Sequence, residues 1–149
     1  MAGVGFEAVT GEIAIGTSTK TLLQIVAASN HRVLVKKWGI SFKGVSNTQL
    51  PVKVSLIIQS DAGTMSSLTL TKKNQGDNET LQTTAQHTST GEPTGSTLVW
   101  STYVHPQTGF ESDEGFSPIP IIGGGRLGIV TANSGGTDVN AIVSLEGEE

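Results

Sequence analysis

Apolar and polar residues alternate with a period of two along much of this chain. One apolar face in the segment 52–58 consists of Val52, Val54, Leu56 and Ile58. The segment 139–146 repeats the pattern with Val139, Ala141, Val143 and Leu145. Alternation of this kind is typical of β-strands that bury one face and expose the other. We therefore expect strands in both segments.

The segment 32–42 is also strand-like, but its pattern changes phase. Val33 and Val35 have one parity, whereas Trp38 and Ile40 have the other. A bulge or bend in the strand would bring all four side chains to one face. Glycine inside a strand often marks such an irregularity, so we expect it near Gly39.

Short strands separated by turn signals continue through the rest of the chain. Further strands are predicted at residues 11–15, 21–28, 67–71, 79–85, 98–105 and 126–132. A short helix at 21–28 is the alternative for that segment, although its threonine and β-branched residues disfavour a helix. Regularly spaced short strands predict an all-β fold, a single-domain, jelly-roll-like antiparallel β-sandwich.

The predicted domain organisation is simple. Residues 1–10 are expected to form an N-terminal arm, frayed or docked on a neighbour, with Val4 and Phe6 as apolar anchors. Residues 11–149 are expected to form the single sandwich domain. The polar stretch 86–95 is predicted to be a long exposed loop.

Composition and charge narrow the function classes. Only 15% of the 149 residues are charged and the net charge is −4, which disfavours nucleic acid as the primary partner. Cysteine is absent, so disulfides and thiol chemistry are excluded. Neither a signal peptide nor an apolar run of membrane-spanning length is evident, so we expect synthesis in a cytosol and no membrane partner.

Motifs for catalysis or metal binding are weak. His31, His87 and His105 lack metal-ligand spacings, and a site joining His87 and His105 with Glu92 or Asp113 is the disfavoured alternative. Serine occurs in no nucleophile elbow. The glycines at 123–125 precede a strand and lack the Gly-Lys-Ser/Thr ending, so a tight turn is favoured over a phosphate loop. We therefore expect no enzyme activity, no cofactor and no metal.

The aromatic residues suggest packing more than ligand binding. Trp38 and Trp100 lie in predicted strands, where core packing is favoured over sugar stacking. Phe110 and Phe116 lie in a loop with glycine, proline and acidic residues. This loop is interpreted either as a partner surface or as a loop that folds back onto the sandwich.

Several short segments resemble one group of viral proteins in their order and spacing. Across residues 30–146 these are RVLV at 32–35, GISFKG at 39–44, VKV at 52–54, QTTA at 82–85, EPT at 92–94, HPQ at 105–107, GFE at 109–111, GGGRLGI at 123–129 and VNA at 139–141. In these segments the chain resembles the jelly-roll head decoration proteins of tailed bacteriophages, also called cement or auxiliary capsid proteins.

The resemblance implies a structural virion protein without a catalytic site. It would be a homotrimer on the capsid exterior, where it binds the major capsid protein and stabilises the shell. The expected contact residues are Val4, Phe6, His105, Phe110 and Phe116. The alternative is a carbohydrate-binding jelly-roll module, associated with the tail and used in host recognition.

Overall fold

The chain forms two antiparallel β-sheets that pack face to face. The structure is a computed structural model, and it describes residues 3–43, 50–95, 97–112, 117–135 and 137–149. Within these ranges there is no helix. The strands are β1 (Gly5–Val9), β2 (Ile13–Ala14), β3 (Thr19–Val26), β4 (Val33–Lys43), β5 (Val52–Gln59), β6 (Thr64–Leu68), β7 (Thr71–Lys72), β8 (Thr84–Gly91), β9 (Thr97–Val104), β10 (Phe110–Glu111), β11 (Ile119–Ile121), β12 (Arg126–Ala132) and β13 (Asn140–Glu148).

Each sheet mixes strands from distant parts of the chain. Sheet A has the order β10-β4-β13-β1-β7, with β11 also paired to β4 and β2 paired to β13. Sheet B has the order β6-β8-β3-β12-β5-β9. The expected all-β sandwich is therefore confirmed, and the helix alternative for 21–28 is wrong because that segment lies in β3.

The strand pairing follows the nested scheme of a jelly roll. The first strand, β1, pairs with the last, β13, and β3 pairs with β12. Inside these pairs, β4 pairs with β10 and β11, and β5 pairs with β9. The chain is thus one long antiparallel hairpin folded over into two sheets. The excursion 60–96 between β5 and β9 adds β6 and β8 to the far edge of sheet B and β7 to sheet A.

The core lies between the sheets and contains the alternating apolar residues. The largest fully buried side chains include Trp38, Phe6, Leu22, Leu56, Leu127 and Ile129. Burial of one such side chain stabilises the fold by about 1.5–3 kcal/mol. The outward-facing residues of the same strands do not pack in the core and can contact solvent or a partner.

The N-terminal segment is not a separate arm in this structure. Residues 5–9 form β1, which lies between β13 and β7 in sheet A. Val4 exchanges two backbone hydrogen bonds with Glu149, and the Phe6 side chain is fully buried. Their apolar pattern reflects core packing inside their own chain.

Three further predictions need correction. The stretch 86–95 is not a long exposed loop, because most of it is strand β8, and the strand predicted at 79–85 begins only at Thr84. The phase change in β4 is real, but the register shift lies at Lys36, between the residues paired with Glu146 and Gly147. Gly39 instead allows a close approach, since a Cβ there would be 3.1 Å from the Phe110 carbonyl oxygen.

Candidate interaction surfaces

The outer face of sheet A has an apolar centre above a floor of small residues. Gly39 and Ser144 are paired neighbours, and Val9 lies on the other side of Ser144. Ile142 lies one outward position further along β13, opposite Ser41. Val9 and Ile142 are 53% and 42% exposed. The small side chains leave a depression of about 360 Å³ beside Ile142, and we call this surface the sheet A face.

Ion pairs surround the centre of the sheet A face. Lys37 and Glu111 are 3.4 Å apart, Lys43 and Glu12 are 3.0 Å apart, and Lys73 pairs with Glu146. The hydrogen bond from Lys43 lowers the pKa of Glu12 below its ordinary value. An apolar centre with a polar rim is the usual anatomy of a protein–protein interface.

Strand β9 is a second exposed surface, at one edge of sheet B. It pairs with β5 on one side, and no described strand lies on its other side. Tyr103 and Leu98 are 72% and 58% exposed, and the strand contains no charged residue. A register shift leaves Val99 as an extra residue, so residues 100–104 form the regular part of the strand. Unpaired strand edges are ready templates for pairing with another chain.

The edges of sheet A are better protected. In sheet A the outer strands are short: β7 has two residues including Lys72, β10 contains Glu111, and β11 contains Pro120. In sheet B the opposite edge, β6, is rich in serine and threonine and has a register shift of its own. Short length, charge and proline all hinder edge-to-edge pairing. Strand β9 lacks these three devices, and so does β6, which differs from β9 in being composed largely of serine and threonine.

Phe110 folds back onto the sandwich. Its ring lies 5.0 Å from the Trp38 ring and 5.2 Å from the Trp100 ring, and the two tryptophans are 5.4 Å apart. Trp38 is buried, while Trp100 and Phe110 are half-buried. This aromatic cluster closes the sandwich between β9 and β10. Of the two interpretations of the loop, Phe110 therefore follows the one in which it packs inward.

The remaining predicted contact residues either make contacts within their own chain or lie outside the described residues. His105 organises a turn: its carbonyl accepts hydrogen bonds from the Thr108 and Gly109 amides, and its Nδ1 accepts one from the Gln107 amide. Val4 and Phe6 are core residues, as described above. Phe116 lies outside the described residues. The structure does not bring the four described residues together into one surface.

Four side-chain hydrogen bonds, in which each residue donates to the next, cross the outer face of sheet B. Arg126 donates to the side-chain oxygen of Gln24, Gln24 donates to Gln59, and Gln59 donates to the Thr21 hydroxyl. Thr21 then donates to the Glu92 carboxylate at 2.6 Å. Gln24 and Thr21 are fully buried. We call this set the polar chain, and it fastens the excursion 60–96 to the sheet.

The carboxylate of Asp61 also helps to hold the excursion in place. It accepts hydrogen bonds from the Thr94 hydroxyl and from the Gly63 and Thr94 amides, which lower its pKa below the ordinary value. The backbone carbonyl of Asp61 accepts a hydrogen bond from Gln24 at 3.0 Å. These bonds are internal to the fold and link the two ends of the excursion.

The histidine pairing considered from sequence is wrong. His87 is on β8 and His105 follows β9, and three strands separate β8 from β9 in sheet B. Across the described ranges, no three His, Cys, Asp or Glu side chains lie together as a metal site would require. A helix that could span a membrane is likewise absent from the residues the structure describes.

Sequence reasoning missed both exposed surfaces. In β9, apolar residues occur at both parities without a charge, and this double parity was the available signal. In sheet A, Val9 and Ile142 are single apolar residues among outward polar ones. Only strand pairing shows that they lie near each other.

Comparison with family models, with curated proteins and with solved structures found no match. The fold and the surfaces are therefore interpreted from this chain's own residues.

Proposed function

We propose that this protein is a capsid decoration subunit of a tailed bacteriophage. In this proposal it is made in the host cytoplasm, binds the major capsid protein on the outside of the shell, and acts as a homo-oligomer, a trimer by the resemblance. Jelly rolls are common in viral capsid proteins, and the fold supports the proposal by that analogy.

The observation that carries the proposal is the sheet A face. Its apolar centre at Val9 and Ile142, its small-residue floor and its rim of ion pairs suit a protein partner better than a small molecule. Decoration requires only binding. A partner that binds the folded, assembled shell stabilises that shell by linkage, without any chemical step.

A sedimentation experiment with undecorated, expanded capsids tests the proposal. We expect the protein to co-sediment with these capsids and to raise their resistance to heat. Ile142→Asp places a charge in the apolar centre and should weaken capsid binding at least about tenfold. Ile122→Asp is the matched control, because Ile122 is exposed and follows β11, which pairs with residues 33–35 at the other end of β4 from Gly39 and Ser41.

Two results would overturn the proposal. One is a wild-type protein that never co-sediments with capsids. The other is an Ile142→Asp variant that binds as tightly as the wild type. The carbohydrate-binding alternative loses Trp38 as a platform because that ring is buried. Sugar binding at Tyr103 together with absent capsid binding would favour that alternative.

A further inference from the structure

Strand β9 has the features of a self-pairing edge. Within the described residues, its backbone makes no ladder on the side away from β5. Its regular part, residues 100–104, is five residues long, which is an ordinary length for a strand in a ladder. It contains no proline, glycine or charged residue, so two copies can approach without like-charge repulsion.

We infer that two copies of this chain associate by antiparallel pairing of their β9 strands, with Thr102 on the two-fold axis. Thr102 is the middle residue of 100–104, so this register pairs the whole regular segment. Each Tyr103 then lies opposite Ser101 of the second copy, and the two Tyr103 rings are diagonal neighbours. Aromatic side chains in that relationship are within contact distance.

The choice of a second copy as the occupant rests on self-complementarity. An isologous contact requires a surface that matches itself after a two-fold rotation. Residues 100–104 are apolar or hydroxyl-bearing throughout, so every facing pair in this register is compatible. Two exposed tyrosines would also leave water together, and tyrosine is enriched among the residues that dominate binding energy.

This contact is distinct from the proposed capsid contact. It uses the edge of sheet B, whereas the capsid contact uses the sheet A face. If the copies also form trimers through another surface, β9 pairing would join the trimers in pairs. The inference therefore predicts an even number of copies in the isolated protein.

A cysteine cross-linking experiment tests the register. The chain has no cysteine, so Thr102→Cys introduces the single thiol of each copy. Facing residues of antiparallel strands have Cα atoms about 4.5–5.5 Å apart, within the range of a disulfide. We expect mild oxidation to give a covalent dimer on a non-reducing gel. Ser66→Cys, on the opposite edge strand β6, is the matched control and should remain unlinked under the same conditions.

Analytical ultracentrifugation without capsids tests the assembly itself. Tyr103→Lys brings two positive charges together near the axis and should halve the number of copies, while Ser67→Lys on β6 should not change it. A monomer at every concentration, a trimer with no larger species, or equal cross-linking of both cysteine variants would overturn the inference. An Ile142→Asp variant that stops binding capsids but keeps its self-association would separate this contact from the capsid contact.

Discussion

The side-chain amide of Gln24 donates a 2.8 Å hydrogen bond to the side-chain oxygen of Gln59, directly above Gly128. Gly128 of β12 pairs with Gln24 of β3 on one side and with Ile57 of β5 on the other. To reach Gln24, the Gln59 side chain of β5 therefore crosses over β12, the middle strand of the three. The absence of a side chain at Gly128 makes this arrangement sterically feasible. A Cβ there would be 2.3 Å from the Gln59 side-chain oxygen.

Gly128→Ala should therefore destabilise the protein by roughly 1–3 kcal/mol, because Gln59 must move and leave buried polar groups unpaired. Gly11→Ala is the control, since no atom lies within 4 Å of a Cβ at Gly11. Urea unfolding measures both variants. Equal stability of the two variants would contradict the role given to Gly128.

Thr21→Val should cost about 1–3 kcal/mol of unfolding free energy. The Thr21 hydroxyl both accepts from Gln59 and donates to Glu92, so its removal breaks the last two hydrogen bonds of the polar chain. Thr131→Val is the matched control, because Thr131 is equally buried but, among the residues the structure describes, its hydroxyl makes one long hydrogen bond of 3.4 Å. Thermal unfolding should show a clearly larger loss for Thr21→Val, and a larger loss for the control would refute the assignment.

Phe110→Ala should destabilise the fold by about 2–3 kcal/mol, since it removes a ring that contacts both tryptophans. The tryptophan fluorescence should change as well, because the environments of Trp38 and Trp100 change. Tyr103→Ala is the exposed aromatic control and should leave the monomer's stability almost unchanged. Unaltered stability and fluorescence in Phe110→Ala would mean that the loop does not pack inward in solution.

Phe6→Ala should cost about 3–5 kcal/mol, the usual range for a buried phenylalanine. The Phe6 ring lies against Gly147, where a Cβ would be 2.7 Å from the ring. Deletion of residues 1–10 removes β1 altogether and should prevent stable folding. A deletion variant with wild-type stability would restore the view of this segment as a separate arm.

Asp61→Asn should reduce the sensitivity of the fold to acid. Because the folded pKa of Asp61 is lowered, the unfolded chain binds the proton more readily. The stability that this carboxylate contributes is therefore complete above its unfolded pKa, about 4, and is lost as the pH falls through and below that value. Urea unfolding between about pH 6 and about pH 3 should show a shallower loss in the variant. A slope in Asp61→Asn identical to that of the wild type would contradict the prediction.

The fold was predictable where apolar and polar side chains alternate clearly along the sequence. Strands β5, β12 and β13 match their predicted positions within two residues, because one buried face gives a period of two. The turn before β12 was also predictable: Gly124 has a φ of +77°, a conformation that glycine adopts readily.

The surfaces were much less predictable, because they depend on pairing between distant strands. Phe110 was recognisable as an unusual loop residue, but its inward packing depends on β10 pairing with Gly39 of β4. Segment 86–95 was mistaken for a loop because Ser89 and Glu92 satisfy their polar groups by hydrogen bonds inside the fold, with Thr21 of β3, so the segment contains few apolar side chains. In sequence, polar residues whose hydrogen bonds are made inside the fold look the same as the polar residues of an exposed loop.

The pairing of β1 with β13 also constrains the order of folding. Sheet A cannot close until β13, near residue 140, has left the ribosome, so β1 and β4 remain without their central partner during most of synthesis. Pairings between sequence-distant strands make folding slow, on the scale of milliseconds to seconds. During that interval the apolar faces of β1 and β4 are exposed to other nascent chains. The yield of native protein should therefore depend on the rate of synthesis and on the concentration of unfinished chains.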